Sequence, residues 1–398
     1  MIDMIRRIQD ADITAKRILV RVDFNAPMKS GQVSDATRLR AALPTIAYLR
    51  EAGAKVILAT HFGRPGGRRN PEMSLEPITA LLSALIGHCV TFASDSVGEE
   101  ARAAAANLSA GDVLLLENTR FHAGEEKNDP DFAARLAELA DVYVNDAFSI
   151  AHRAHASTEG VARMIPAYAG LSLQREIDHV TAALESPGRP VLAAAGGAKA
   201  STKIALLKNL VKKVDCLFVG GAMANTFLAA RGHDVGASMK EAGLIEIAGK
   251  IEKAAGAAGC ALLLPSDVVV AKQFKSDPDR RVTGVEAVAA DEMILDCGPQ
   301  TVDRLAAAIA ASRTLVWNGP LGAFETPPFD TATVETARYA ARRCQENGLM
   351  AVAGGGDTVA ALNRAGVSED FTFVSTAGGA FLQWLEGKPL PGVDVLKA

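Results

Sequence analysis

Lys199 and Lys203 stand on a glycine turn, in AAAGGAKASTK at 193–203. The apolar run 190–195 precedes them. Ile204, Leu207, Leu210 and Val211 follow at helical spacing, so the pattern reads strand, glycine turn, helix N-terminus. The unpaired amides of a helix N-terminus already carry partial positive charge, and two cations there are locally unfavourable. A bound anion resolves the conflict, and phosphate is the usual one. Two solvated surface lysines fit the stretch equally well when it is read alone.

A second set of candidates is cationic and lies in the first half. RVDFNAP (21–27) brings Asp23 and Asn25, and SDATR (34–38) opens a helix with Arg38 in its first turn. HFGRP (61–65) brings His61 and Arg64, LENTRF (116–121) brings Arg120, and NDAFSIAHRAHAS (145–157) brings His152, Arg153 and His155. Each follows an apolar run, and open α/β sheets bind ligands at the carboxyl ends of their strands. Arginine meets phosphate and carboxylate through paired N–H donors, and Asp23 and Asn25 can accept from hydroxyls. A small, hydroxylated, multiply anionic ligand fits the set. Singly, each residue has a plainer reading: Asp23 and Asn25 cap turns, Asp35 caps a helix, His122 and His155 pack in loops, and any one arginine is surface. Their shared position after successive strands favours the pocket.

The second half offers glycine at the matching places: GGAKASTK, GGAMANTF, WNGPLGAFE, AGGGDT and STAGGA. Glycine lets the backbone approach a ligand and present its amides. GGGDT runs straight into a helix, where Asp357 either caps the helix or holds magnesium on nucleotide phosphates. Glu325 either accepts from ribose hydroxyls or sits exposed. Neither a Walker A loop nor a G-x-G-x-x-G fingerprint is present. No Ser-His-Asp, Cys-His or metal-binding Cys/His set competes. Phosphoryl transfer between the two halves needs positioning and charge rather than a protein nucleophile.

The elements that must position these residues read as α/β. Continuous apolar runs at 18–24, 56–60, 90–93, 113–116 and 142–144, then 191–195, 216–219, 262–264, 268–270, 314–317, 350–353 and 371–374, suit strands buried on both faces. Helical patterns lie between them, including 39–49 with Pro44 as a kink or restart, 101–107, 131–140 and 175–184. A chain of 398 residues with this many strands implies two doubly wound parallel-sheet lobes, with 175–184 as the helical connector. The net charge of -4 argues against nucleic acid or an anionic membrane as main partner. Five dispersed cysteines read as buried thiols of a reducing compartment. With no signal-peptide core and no bilayer-length run, the cytoplasm is expected.

Taken together and in order, RVDFN, HFGRP, AHRAHAS, GGAKxSxK, WNGPxGxFE and GGGDT make the chain resemble phosphoglycerate kinase over essentially its whole length. The resemblance implies a monomer whose lobes, 1–170 with a returning tail 376–398 and 171–375, meet across a hinge. It implies transfer of the acyl phosphate of 1,3-bisphosphoglycerate to Mg-ADP. Asp23, Asn25, Arg38, His61, Arg64, Arg120 and Arg153 match the family's 3-phosphoglycerate site. Gly197, Ala198, Lys199, Lys203, Asn318, Pro320, Glu325, Gly355, Gly356, Asp357 and Thr358 match its nucleotide site. By the same resemblance Arg38 and Lys199 neutralise the phosphoryl group in flight, Lys203 contacts nucleotide phosphates, and Asp357 holds Mg²⁺.

Four departures from the family pattern stand out: Ala200 for Val and Thr202 for Asp in GGAKASTK, Ala377 for Gly in STAGGA, and Gln383 for Glu in the tail. Two other functions use the same features. Glycine-rich turns also serve dinucleotide oxidoreductases, but the fingerprint and its following acid are missing. A non-catalytic phosphometabolite binder would keep the fold, but Arg38, Lys199, Lys203 and Asp357 are all in place.

Overall fold

The computed structural model describes residues 5–29 and 31–397. They form two compact units, one running up to Asp178 and resuming at Pro389, the other spanning His179–Lys388. The lobe limits expected from sequence, 170/171 and 375/376, lie earlier in the chain. The helix Leu171–Leu184 runs unbroken across the first division, and the helix Gly378–Leu385 stays with the second unit.

The first unit is built on six parallel strands. Arg17–Arg21 sits between Lys55–Ala59 and Val142–Asn145; Val113–Leu116 and Val90–Ala93 extend one side, and Ala167–Ala169 closes the other. Numbered by chain order the strands run 3-4-2-1-5-6. The central strands are buried on both faces, as their unbroken apolar runs require. Ile18, Val20, Leu58, Val113 and Val144 pack with Leu39, Ile46, Leu49 and Leu82 into one core. Pro44 does not restart its helix, which is continuous over Thr37–Glu51. The strand Ala167–Ala169 has too short an apolar run to be read from sequence.

The second unit repeats the plan with Val191–Ala195 and Thr314–Asn318 central. Cys216–Val219 and Ala261–Leu263 lie to one side, Met350–Gly354 and Phe373–Ser375 to the other, in the order 3-2-1-4-5-6. The order reverses between Val191–Ala195 and Thr314–Asn318, where such sheets bind ligands. The run expected as a strand at 268–270 belongs elsewhere. Asp267–Ala271 is the middle of an antiparallel sheet with Arg280–Gly284 and Met293–Cys297. Its outer strand reads RRVTG and is largely exposed, so no apolar run marks it. Two buried carboxylates tie this sheet to the helices beyond it: Asp267 accepts from the N–H groups of Gln300 and Thr301, and Asp296 from that of Ala332. Both act at helix N-termini, where anions are favoured.

Candidate active site

In the first unit the candidate residues converge at the strand ends. Asp23 Oδ1 accepts from the Asn25 N–H (3.1 Å), so the turn-capping reading of Asp23 holds. Its other oxygen faces Arg38 Nη1 at 2.5 Å and accepts from Ser149 Oγ. Asn25 Oδ1 accepts from the Gly63 N–H (2.9 Å), and Arg120 Nη1 donates to the Gly63 carbonyl (2.8 Å). The loop 61–64 is thereby fastened to both. Arg120 also pairs with Glu126 at 3.1 Å. Arg153 Nε lies 3.3 Å from His152 Nε2, and Arg64 is exposed. Asp35 accepts from the N–H and hydroxyl of Thr37, the first residue of the helix carrying Arg38, whose N-cap position is Ala36.

Sequence reasoning missed the floor beneath these groups. Arg21, on the first strand, is 1% exposed and lies against His61 Nδ1 at 3.2 Å. Buried Glu125 and Ser157 stand behind it. Arg21 could have been noticed as a charge interrupting the apolar run 18–24. Burial and the surrounding cations govern the histidines. Burial first, then Arg21, Arg120 and Arg153, holds His61 well below its ordinary value. Burial, then Arg120, Arg21 and Arg153, pushes His155 down to about 3. Both imidazoles are neutral near neutrality, and the positive charge of the face resides on arginine.

In the second unit the switch point is closed by backbone. A Cβ on Gly196 would stand 1.9 Å from the Pro320 carbonyl oxygen, so nothing larger than glycine fits. Gly319 has φ +103°, a conformation open mainly to glycine. Lys203 immediately precedes the helix Ile204–Leu210, and its ammonium turns back to the carbonyls of Gly196 (2.6 Å) and Asn318 (3.0 Å). These oxygens relieve part of the awkward placement of this cation. Burial lowers Lys203 to about 8, with Asp357 opposing the shift. Lys199 is exposed.

Beside this point opens a cavity of about 300 Å³. Gly197, Ala198, Pro320, Glu325 and Asp357 line it. Met239, Phe274, Met293, Leu295 and Phe324 supply an apolar wall that sequence reasoning did not identify. Their chain positions follow no single motif, and Phe274 is 60% exposed. Asn318 Nδ2 donates to the Gly354 carbonyl, and the Thr358 hydroxyl joins that carbonyl to the Gly319 N–H. The helix Gly356–Ala365 carries Asp357 in its first turn, and its N-cap, Gly355, provides no side-chain cap. Asp357 is therefore not the capping residue.

The departures from the family pattern find local accounts. Glu241 accepts from the Ser201 N–H (2.9 Å), supplying a carboxylate to the turn where Thr202 lacks one. The Thr202 hydroxyl donates to the Lys199 carbonyl. Ala377 has φ -94°, an ordinary conformation for alanine, and Ala200 is buried. Nothing in the structure explains Gln383. Cys89 is exposed, contrary to expectation, while Cys260 and Cys297 are buried.

Among the described residues no group of three His, Cys, Asp or Glu side chains could hold a metal ion. Mg²⁺ on a nucleotide needs only one or two carboxylates because phosphates and water complete its shell. Exposed Asp357 at the cavity edge fits that requirement. Among the described residues no helix is long and apolar enough to cross a membrane.

The model of the phosphoglycerate kinase family matches residues 8–388. A phosphoglycerate kinase of Maricaulis maris is 67% identical over 98% of this chain and 96% of its own length. One from Sphingopyxis alaskensis is 61% identical over 97% of each. The solved phosphoglycerate kinase of Coxiella burnetii superposes with a TM-score of 0.92 at 40% identity, covering 98% of both chains. That of Pyrococcus horikoshii superposes at 0.80 with 31% identity and the same coverage. With its two parallel sheets and motif order, the chain belongs to the phosphoglycerate kinase family.

Proposed function

We propose that this chain reversibly transfers the acyl phosphate of 1,3-bisphosphoglycerate to Mg-ADP, yielding 3-phosphoglycerate and ATP. The observation that carries the reading is the switch point of the second unit. A half-buried ammonium, a glycine turn and an apolar-walled cavity of about 300 Å³ lie together there, as a nucleotide needs.

In the direction of ATP use, the 3-phosphoglycerate carboxylate attacks the γ-phosphorus in line. A new carboxyl–phosphate bond forms as the β,γ-bridging bond breaks and ADP leaves with the electron pair. A carboxylate is ionised at neutral pH, so no general base is required. Asp23 and Asn25 orient the acceptor, and His61, Arg64, Arg120 and Arg153 hold its phosphate. Arg38 and Lys199 neutralise the group in transit. Gly197, Ala198, Lys203, Asn318, Pro320, Gly355, Gly356 and Thr358 seat the nucleotide, with Glu325 accepting from its ribose. Asp357 would hold the Mg²⁺ of the nucleotide, which would neutralise charge on the phosphates.

The two ligands are assigned to different units, so the reaction calls for hinge closure. Helix 175–184 and the pair Ser375 and Thr376 are its proposed pivots. Cytoplasmic residence as a monomer, without nucleic-acid or membrane partners, accords with five free cysteines and a net charge of -4. The test is a coupled assay with 3-phosphoglycerate and Mg-ATP. Turnover that stops on chelation is expected; no turnover by the folded wild-type chain refutes the proposal.

A further inference from the structure

His61 Nδ1 lies 3.2 Å from Arg21 Nη2. A guanidinium only donates, so Nδ1 must accept, and the single proton of the neutral ring must sit on Nε2. Arg21 is itself held from behind. Its Nε donates to Ser157 Oγ (2.7 Å) and its Nη1 to the Val22 carbonyl (2.5 Å). The Ser157 hydroxyl proton goes to Glu125 Oε1 (2.5 Å), and the Ser157 N–H donates to Glu125 Oε2 (3.0 Å). A hydroxyl has one proton. Because Glu125 takes it, the oxygen turns a lone pair to Arg21. Arg21, Glu125 and Ser157 are 1%, 0% and 1% exposed, and His61 is 4% exposed, so water does not compete along the line.

We infer that Glu125 and Ser157 are positioning residues that act through Arg21 to fix His61 in the Nε2–H tautomer. The ring nitrogen left for a ligand is then always a donor. This inference rests on the functional reading only in assigning that ligand as the phosphate of 3-phosphoglycerate. Among surrounding arginines the choice matters. An imidazolium would add one more clustered cation, and the other neutral tautomer would aim a lone pair at an anion. Glu125 also opposes the lowering that burial imposes on the Arg21 guanidinium.

The test uses the full chain labelled with ¹⁵N, without ligand, at neutral pH. Long-range ¹H–¹⁵N spectra report both ring nitrogens, and the His61 signals are assigned by their loss in His61→Gln. Wild type is expected to show protonated Nε2 and bare Nδ1. Glu125→Gln and Ser157→Ala are expected to lose the single tautomer and raise KM for 3-phosphoglycerate about tenfold with KM for ATP unchanged. Ser157→Thr, which keeps the hydroxyl, restores both. A wild-type ring protonated on Nδ1, or on both nitrogens, overturns the inference. So do folded Glu125→Gln and Ser157→Ala variants with unaltered tautomer and KM. If those variants do not fold, the wild-type spectrum and Ser157→Thr decide. A wild-type chain without turnover refutes the functional reading, and the spectrum still judges the tautomer.

Discussion

Arg38 is held 2.5 Å from Asp23, with the arginine side chain 37% exposed and the carboxylate 10%. An ion pair this close to solvent contributes little to stability, typically about 0–1 kcal/mol. Its effect is directional: the carboxylate, itself fixed by Ser149 and the Asn25 N–H, aims the guanidinium.

Replacing Arg38 with alanine should therefore separate activity from stability. In Arg38→Ala, kcat is expected to fall about a hundredfold to a thousandfold, as when one pre-organised charge donor is lost. The urea midpoint should stay close to wild type. Near-wild-type kcat would remove Arg38 from the transfer step.

The lowered value of Lys203 gives nucleotide binding an alkaline limb. Charge on its ammonium is lost as pH rises through about 8, so kcat/KM for Mg-ATP should decline above that pH. Stability should move the opposite way. Between about 8 and the ordinary 10.5 the unfolded chain binds more protons, so unfolding free energy rises with pH across that window. Lys203→Met should abolish both dependences, read from pH–rate profiles and denaturation at each pH.

Much of this was legible in the sequence, and the failures have physical causes. Strands buried on both faces announce themselves, and runs such as 90–93, 113–116, 191–195 and 216–219 coincide with the observed strands. Arg280–Gly284 carries its side chains in solvent and leaves no such trace. The lysine turn is legible in the sequence, but the groups that hold the Lys203 ammonium are not. Its carbonyl partners belong partly to residue 318, 115 positions away. Arg21 went unnoticed because its partners, His61, Ser157 and Glu125, are joined only by folding.

Glycine at 196 is a steric requirement. Gly196→Ala would drive a methyl into the backbone of Pro320, so a loss of about 1–3 kcal/mol or more is expected in urea titrations, together with weaker nucleotide binding. Gly256, in the helix Ile245–Ala257 with open space around it, is the contrast. Gly256→Ala should stabilise by roughly 0.5–1 kcal/mol and leave kinetics unchanged.

Asp146 is buried at the start of the helix Leu171–Leu184 and accepts from the N–H groups of Ser172 and Leu173. Burial raises its carboxyl to about 7 despite those bonds. Between the ordinary 3.8 and about 7 the native chain binds more protons, so this group makes stability fall as pH rises across that range. Asp146→Asn should flatten the profile by at most about 1.4 kcal/mol per pH unit. Parallel wild-type and variant profiles would show that Asp146 does not titrate there.

The first unit is completed by chain made long after its sheet. Asn145 donates to the Gly392 carbonyl, Gly392 to that of Ala151, Arg6 to that of Leu396, and Ile5 bridges to Lys397. The second unit is one uninterrupted stretch, interposed within the first. During synthesis the order of completion is thus inverted. The later-made body has its whole sequence by residue 388, while the earlier one waits for the segment that follows it.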